Sequence, residues 1–311
     1  MQKLIVTADD FGAHPFIDRG IREAVLAGCV NTVSAFMVFK NSGEKLIQLA
    51  TEAKNRNLNI NFGVHLSLTA GTPVLGESVP SIIENNGKFY DVNAYDYDST
   101  DPFEVFEETR AQIKLFMQTG LRLDHLSCHH GIMQLFPEYF KIYLLLAAEF
   151  KVPVRNPILI SREKIKGYKL SGMKYEGLFR GLECILNKGF SQVLINTGTL
   201  SPEGLKRKMQ VFKGGRVSCP DHFIDTFYKN GDKKQLEKIL RYLPKGKRSE
   251  LVVHLGSGNY NNSPEEQRKY NGINFGYFDG RKKEFQTITH DLNIENRIAT
   301  DVSLEWGRYS E

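Results

Sequence analysis

The sequence predicts an α/β protein built on a (β/α) barrel of about seven strand–helix units. Strand-like and helix-like segments alternate along most of the 311 residues, which is typical of a parallel sheet. The chain is long enough for one large barrel, and we expect a single domain over residues 1–311, although length alone also allows two domains. A doubly wound open sheet is the alternative, but no GxGxxG motif follows the first strand.

Seven segments have the short apolar or alternating pattern of β-strands. They are Leu4–Ala8, Thr32–Phe39, Ile60–Thr69, Leu121–Ser127, Val152–Arg155, Gln192–Asn196 and Leu251–Leu255. The third segment gives the clearest signal, because large apolar residues alternate with small or polar residues along its whole length. This alternation predicts a strand with one face in the core.

The segments between and after these strands have helical patterns. They are Phe16–Ala27, Gly43–Arg56, Pro102–Thr119, Pro137–Phe150, Leu205–Val211, Lys233–Leu243 and Arg281–His290. Gly28 follows the first of them, at a position where glycine commonly ends a helix. Two polar stretches, Ala70–Asp101 and Gly256–Gly280, are too long for simple connections and are candidate binding loops.

The composition excludes several classes of protein. Hydrophobic residues make up 41% and charged residues 25%, which excludes disordered and collagen-like chains. The net charge is +5 without a long run of Lys or Arg, so we expect no nucleic-acid partner. Four dispersed cysteines, no signal-peptide pattern and no bilayer-length apolar segment predict a soluble, cytoplasmic protein with no membrane contact. Whether the chain forms a homo-oligomer is left open.

Acidic residues and histidines collect at the predicted carboxyl ends of the strands, where barrel enzymes carry their chemistry. Asp9 and Asp10 end the first strand, His65 lies near the end of the third, and His254 ends the last. Three more histidines lie at or just after the end of the Leu121–Ser127 strand: His125, His129 and His130.

Each of these groups also has a structural explanation. An Asp pair that closes a strand is commonly a turn or a helix cap, and a lone histidine such as His65 or His254 is commonly hydrogen-bonded. Three imidazoles within six residues are harder to explain by packing and favour metal binding or acid–base chemistry. One carboxylate with two imidazoles suits a divalent ion, and an adjacent carboxylate can act as a general base.

Four short motifs occur in order along the chain: LIVTADDFG at Leu4–Gly12, GVHL at Gly63–Leu66, DHLSCHH at Asp124–His130 and VVHLG at Val252–Gly256. Together they resemble the signature motifs of the YdjC-like carbohydrate deacetylases, also called the ChbG family. The resemblance extends from residue 2 to about residue 300. It implies a distorted, TIM-like (β/α) barrel and metal-dependent removal of acetyl groups from N-acetylated sugars of the chitooligosaccharide type.

The same resemblance implies a role for each matching residue. The ligands of a divalent ion, Mg or Zn, would be Asp10, His65 and His129. Asp9 would be the general base, and His254 would be the acid that protonates the departing amine. Arg155, which resembles a family position near the site, and His125 are assigned to substrate binding.

Three positions depart from the family motifs: Ser127, Cys128 and Leu255 replace the usual Asp, Ser and Pro. Because a carboxylate at position 127 would orient a ligand imidazole, we expect that hydrogen bond to be weaker or absent. None of the predicted ligands is itself replaced. Two alternatives stay open: a metal hydrolase of another amide or a phosphoester on the same barrel, and a sugar-binding relative without catalysis.

Overall fold

The computed structural model describes residues 1–156 and 217–310, except for Thr226, Tyr242, Leu292 and Val302. Two predicted elements lie outside the described residues, the strand Gln192–Asn196 and the helix Leu205–Val211. Among the described residues, no helix combines the length and the apolar character needed to cross a membrane.

Seven strands form one sheet in the described residues, and all of its strand pairs are parallel. They are β1 (Gln2–Phe11), β2 (Thr32–Ala35), β3 (Asn61–Leu66), β4 (Leu123–Cys128), β5 (His222–Ile224), β6 (Arg248–Val253) and β7 (Leu304–Trp306). The order is β4-β3-β2-β1-β6-β5, and β7 pairs with the amino end of β1. The sequence did not predict β5 and β7, because three-residue strands are too short for a periodic pattern.

Nine α-helices surround this sheet in the described part of the chain. They are α1 (Pro15–Leu26), α2 (Ser42–Asn55), α3 (Pro102–Met117), α4 (Ile132–Leu135), α5 (Pro137–Phe150), α6 (Lys233–Arg241), α7 (Pro264–Lys269), α8 (Phe278–Gln286) and α9 (Ile294–Thr300). The predicted helices that can be compared are therefore present, with ends shifted by a few residues. Helix α8 begins earlier than predicted and continues into a π-helical turn, Thr287–Asp291.

The sheet is a curled half-barrel, and within the described residues it does not close into the predicted distorted, TIM-like (β/α) barrel. The regular ladder ends at β4 and β5. The predicted strand Val152–Arg155 makes a single bridge to β4, between Leu126 and Val154. The bridge consists of two hydrogen bonds, from the Leu126 N–H to the Pro153 carbonyl at 3.0 Å and from the Arg155 N–H to the Leu126 carbonyl at 2.9 Å. Pro153 has no N–H with which to extend the pairing. The α/β class is confirmed, and within the described residues no ladder of strands connects β4 to β5.

The parallel register places the sequence motifs at one edge of the sheet. Ala8 of β1 lies opposite Val253 of β6, and His65 of β3 lies opposite Ser127 of β4. Ligands of open α/β sheets bind at this carboxyl edge, because loops from neighbouring strands converge there. Residues far apart in sequence therefore meet at the ends of β1, β3, β4 and β6.

Candidate metal centre and active site

The acidic pair at the end of β1 lies on a bulge. The pairing of β1 with β2 shifts between Ala8 and Phe11, and Asp10 adopts a left-handed φ of 73°. Adjacent side chains in a regular strand point to opposite faces, but a bulge re-aims them. The His65 Nε2 atom lies 3.9 Å from Oδ2 of Asp9 and 3.4 Å from Oδ1 of Asp10. Both carboxylates therefore approach one imidazole.

Asp10, His65 and His129 form a buried cluster. One donor atom from each side chain lies within 4.8 Å of the other two. Nδ1 of His129 lies 3.2 Å from Oδ1 of Asp10, and that oxygen accepts no hydrogen bond within the described residues. A buried carboxylate oxygen that faces two imidazole nitrogens is a common donor set for a divalent ion. These three residues could therefore hold a metal.

Contacts on the far side of each imidazole determine which nitrogen faces the cluster. Nδ1 of His65 lies 2.8 Å from the Ser127 hydroxyl, so its Nε2 faces Asp10. Nε2 of His129 lies 3.3 Å from the carbonyl oxygen of Gly272, so its Nδ1 faces Asp10. Such contacts orient metal-binding histidines. The hydrogen bond that we expected to be weaker or absent at position 127 is present, and a serine makes it.

Arg155 holds Asp9 in a two-pronged ion pair. Its Nη1 and Nη2 donate to the two oxygens of Asp9 at 2.7 and 2.8 Å, and its Nε donates to Glu250 at 2.9 Å. Burial opposes ionisation of Asp9, but the charges of Arg155, His65 and His254 outweigh it and lower the pKa of Asp9 to about 2. Asp9 is therefore an ionised acceptor at neutral pH.

A second arginine, Arg281 of α8, pairs with Asp10. Its Nη2 donates to Oδ2 of Asp10 at 2.5 Å. Burial opposes ionisation of Asp10 as well, but Arg281 and His129 hold the pKa of this carboxyl well below its usual value. Arg281 occupies one oxygen of Asp10, and the other oxygen faces the two imidazoles.

His254 directly follows β6, on a loop whose path is tightly fixed. Its backbone N–H donates to the carboxylate of Glu284 at 2.7 Å. Two residues further on, the chain passes so close to α1 that a Cβ on Gly256 would lie 2.1 Å from Cε1 of Phe16. Glycine is therefore required at position 256 for this path.

His125 lies apart from the cluster. Its side chain is fully buried, with Nε2 2.8 Å from the Ser34 hydroxyl and its ring stacked on Tyr309 at 4.1 Å. Gly63 leaves room for it, since a Cβ there would lie 2.4 Å from the imidazole Cε1. Substrate binding by His125, and by the Asp9-paired Arg155, stays a prediction.

Three ionisable residues of the site were not predicted from the sequence: Glu250, Arg281 and Glu284. Glu250 did carry a signal, because it is an acidic residue within the apolar part of β6, and buried charges need partners. Arg281 and Glu284 carried no such signal in the sequence. They belong to the charged segment RKKE, which is typical of a solvated helix face and follows a long loop.

Comparisons with known proteins identify relatives along most of the chain. A family model described as YdjC-like protein matches residues 3–292. A carbohydrate deacetylase from Brevibacillus brevis is 38% identical over 176 residues, which are 56% of this chain and 67% of that protein. A carbohydrate deacetylase from Enterococcus faecalis is 32% identical over 234 residues, 74% of this chain and 84% of that protein.

The fold also has a relative among solved structures. A crystal structure of a proposed cellobiose-phosphate cleavage protein from Enterococcus faecalis superimposes with a TM-score of 0.69. The match covers 99% of this chain and 98% of that one at 22% sequence identity, and it supports the fold alone. With the family model matching nearly from end to end, the resemblance of the four motifs is confirmed: the chain belongs to the YdjC-like family.

Proposed function

We propose that the protein is a metal-dependent carbohydrate deacetylase, which hydrolyses the acetamide of N-acetylated sugars such as chitooligosaccharides and releases acetate. The buried Asp10–His65–His129 cluster beside an ionised Asp9 carries this proposal. The two bacterial relatives, both named carbohydrate deacetylases, support the substrate class. We also propose that residues 1–311 act as a single catalytic domain.

Asp10, His65 and His129 are the proposed ligands of the ion. A bound divalent ion would supply Lewis-acid polarisation of a carbonyl group and would increase the acidity of a water molecule. Two imidazoles and one carboxylate suit Zn²⁺ better than Mg²⁺, which prefers oxygen ligands. Of the two ions predicted from the sequence, we therefore favour Zn²⁺.

Asp9 is the proposed general base. Arg155 keeps its carboxylate ionised and holds both oxygens in one orientation. A carboxylate with a pKa of about 2 is a weak base, so its contribution depends on orienting the attacking water and accepting the proton as the new C–O bond forms.

His254 is the proposed general acid. An amine anion is too basic to leave unaided, so the C–N bond can break only as the nitrogen receives a proton. The charge of His254 acts on the same Asp9 carboxylate that Arg155 holds. Asp9 lies in β1, and His254 directly follows the neighbouring strand β6, so the proposed base and acid come from adjacent strands.

Phosphoester hydrolysis on the same scaffold is less well supported. A phosphoryl group is usually bound by cationic side chains that are available to it. In the described residues, both arginines of the site are already paired with carboxylates, Arg155 with Asp9 and Arg281 with Asp10. Their charges therefore balance the acidic pair.

Acetate release from N-acetylglucosamine and its oligomers tests the proposed function. The protein is assayed as purified, after treatment with a chelator, and after restoration with Zn²⁺ or Mg²⁺. We expect acetate release that the chelator abolishes and Zn²⁺ restores. A metal-loaded protein that is inactive across the panel would contradict the deacetylase proposal, and activity on aryl phosphates alone would favour the phosphoester alternative.

Ser127→Ala is expected to weaken metal binding by about 10–100-fold, because it removes the hydroxyl that orients His65. Ser34→Ala is the matched control. Ser34 makes an equivalent buried contact of 2.8 Å, but with His125, outside the cluster. Competition with a chelating dye measures both affinities. Equal affinities in the parent and in Ser127→Ala would show that this hydroxyl does not position the ligand.

A further inference from the structure

Glu284 is a fully buried acidic residue that has no part in the proposed reaction. One carboxylate oxygen accepts the backbone N–H of His254 at 2.7 Å, and the other accepts the hydroxyl of Tyr277. Gly231 leaves the space for this side chain, since a Cβ there would lie 2.4 Å from Cγ of Glu284. Burial raises the pKa of Glu284 to about 8, although both donors favour its ionised form.

Helix α8 connects this contact to the predicted metal ligands. Arg281 and Glu284 lie three residues apart, and residues with this spacing are neighbours on one face of a helix. Arg281 donates to the side chain of Asp10, at the end of β1. Glu284 accepts the backbone N–H of His254, at the end of β6. One helix turn therefore contacts the ends of two adjacent strands.

We propose that Glu284 is a positioning residue that fixes the loop carrying His254, so that the imidazole is held where the leaving nitrogen must be protonated. The inference rests on the proposed function, because that function assigns the acid to His254. A displacement of about 1 Å at a reacting group can lower the rate about 10²-fold, which sets the size of the expected effect.

The kinetic test compares Glu284→Leu, which removes both acceptor oxygens, with Glu284→Gln, which keeps one. Glu284→Leu should lower kcat about 10–100-fold, with KM and metal content near those of the parent. Glu284→Gln should retain most of the activity. When His254 is already alanine, Glu284→Leu should lower kcat no further, because the two residues act as a unit.

Glu23→Leu is the matched control. The Glu23 carboxylate accepts the Ser257 hydroxyl at 2.7 Å, in the same loop, and it does not accept the His254 N–H. This variant should keep the parental kcat. The proposal is overturned if Glu284→Leu leaves kcat unchanged, or if its loss and that of His254→Ala multiply in the double variant.

Hydrogen exchange of the His254 backbone amide gives a readout that is independent of activity. Exchange should be about tenfold faster in Glu284→Leu than in Glu284→Gln, since a buried acceptor is lost. A parent protein without activity would overturn the proposed function only. Equal exchange rates of the His254 amide in Glu284→Leu and Glu284→Gln would overturn the positioning role of Glu284. If Glu284→Leu does not fold, Tyr277→Phe replaces it. Loss of that donor should speed His254 exchange and lower kcat, and no change in either overturns the proposal.

Discussion

Asp9→Asn is expected to retain the bound ion and to lower kcat for acetate release about 10²–10⁴-fold, the usual contribution of a general base. The amide cannot accept a proton from water. It also cannot accept both hydrogen bonds from Arg155, so the orientation of the side chain is lost as well. The cluster of Asp10 with the two imidazoles should stay intact. Steady-state kinetics and metal content are measured on the same sample.

Asp221→Asn is a suitable control for this substitution. Asp221 accepts a hydrogen bond from the backbone N–H of Arg248 at 2.9 Å. Arg248 is the first residue of β6, at the opposite end of that strand from His254, and Asp221 has no proposed catalytic role. It should keep the parental kcat and metal content. If Asp9→Asn lost the ion, Asp9 would share the role of ligand with Asp10. If it kept full activity, the assignment of the base would be wrong.

His254→Ala is expected to keep the ion, to bind the sugar, and to lower kcat about 10²–10⁴-fold. This loss corresponds to a barrier about 3–5 kcal/mol higher, because the amine must leave without its acid. The deficit should shrink for an anilide substrate, whose leaving nitrogen is less basic and needs less protonation. The ratio of the two rates, sugar amide against anilide, therefore reports directly on proton donation.

The exposed His290 offers the matched control, and His290→Ala should behave as the parent does. A His254→Ala variant with parental kcat would exclude His254 as the acid. An equal loss on both substrates would indicate a structural role instead, since proton donation matters less for the better leaving group.

The sequence predicted the parts of the site that depend on strand topology alone. Asp10, His65 and His129 follow or end parallel strands, and the carboxyl ends of such strands share one edge of the sheet. Their convergence in the structure follows from this order of elements. Ile60–Thr69 contributed most, because its alternating pattern fixed the face on which His65 lies.

The features that the sequence did not predict arise from packing between distant segments. The left-handed conformation at Asp10 turns both carboxylates towards His65, and aspartate carries no obligatory signal for it. Arg281 and Glu284 reach the site only because α8 packs back onto β1 and β6 after a long loop. In the part of the chain that the structure describes, the expected barrel is not closed, because Val152–Arg155 makes only one bridge to β4 and its strand pattern does not reveal this.

Asp10, His65 and His129 are proposed to hold the ion on which deacetylation depends. The most direct test is the metal content of the parent, His65→Ala, His129→Ala and His290→Ala, purified in parallel and measured by elemental analysis. We expect about one ion per chain in the parent and in His290→Ala, and almost none in the two ligand variants, with their fold retained. Full occupancy in either His65→Ala or His129→Ala would contradict it.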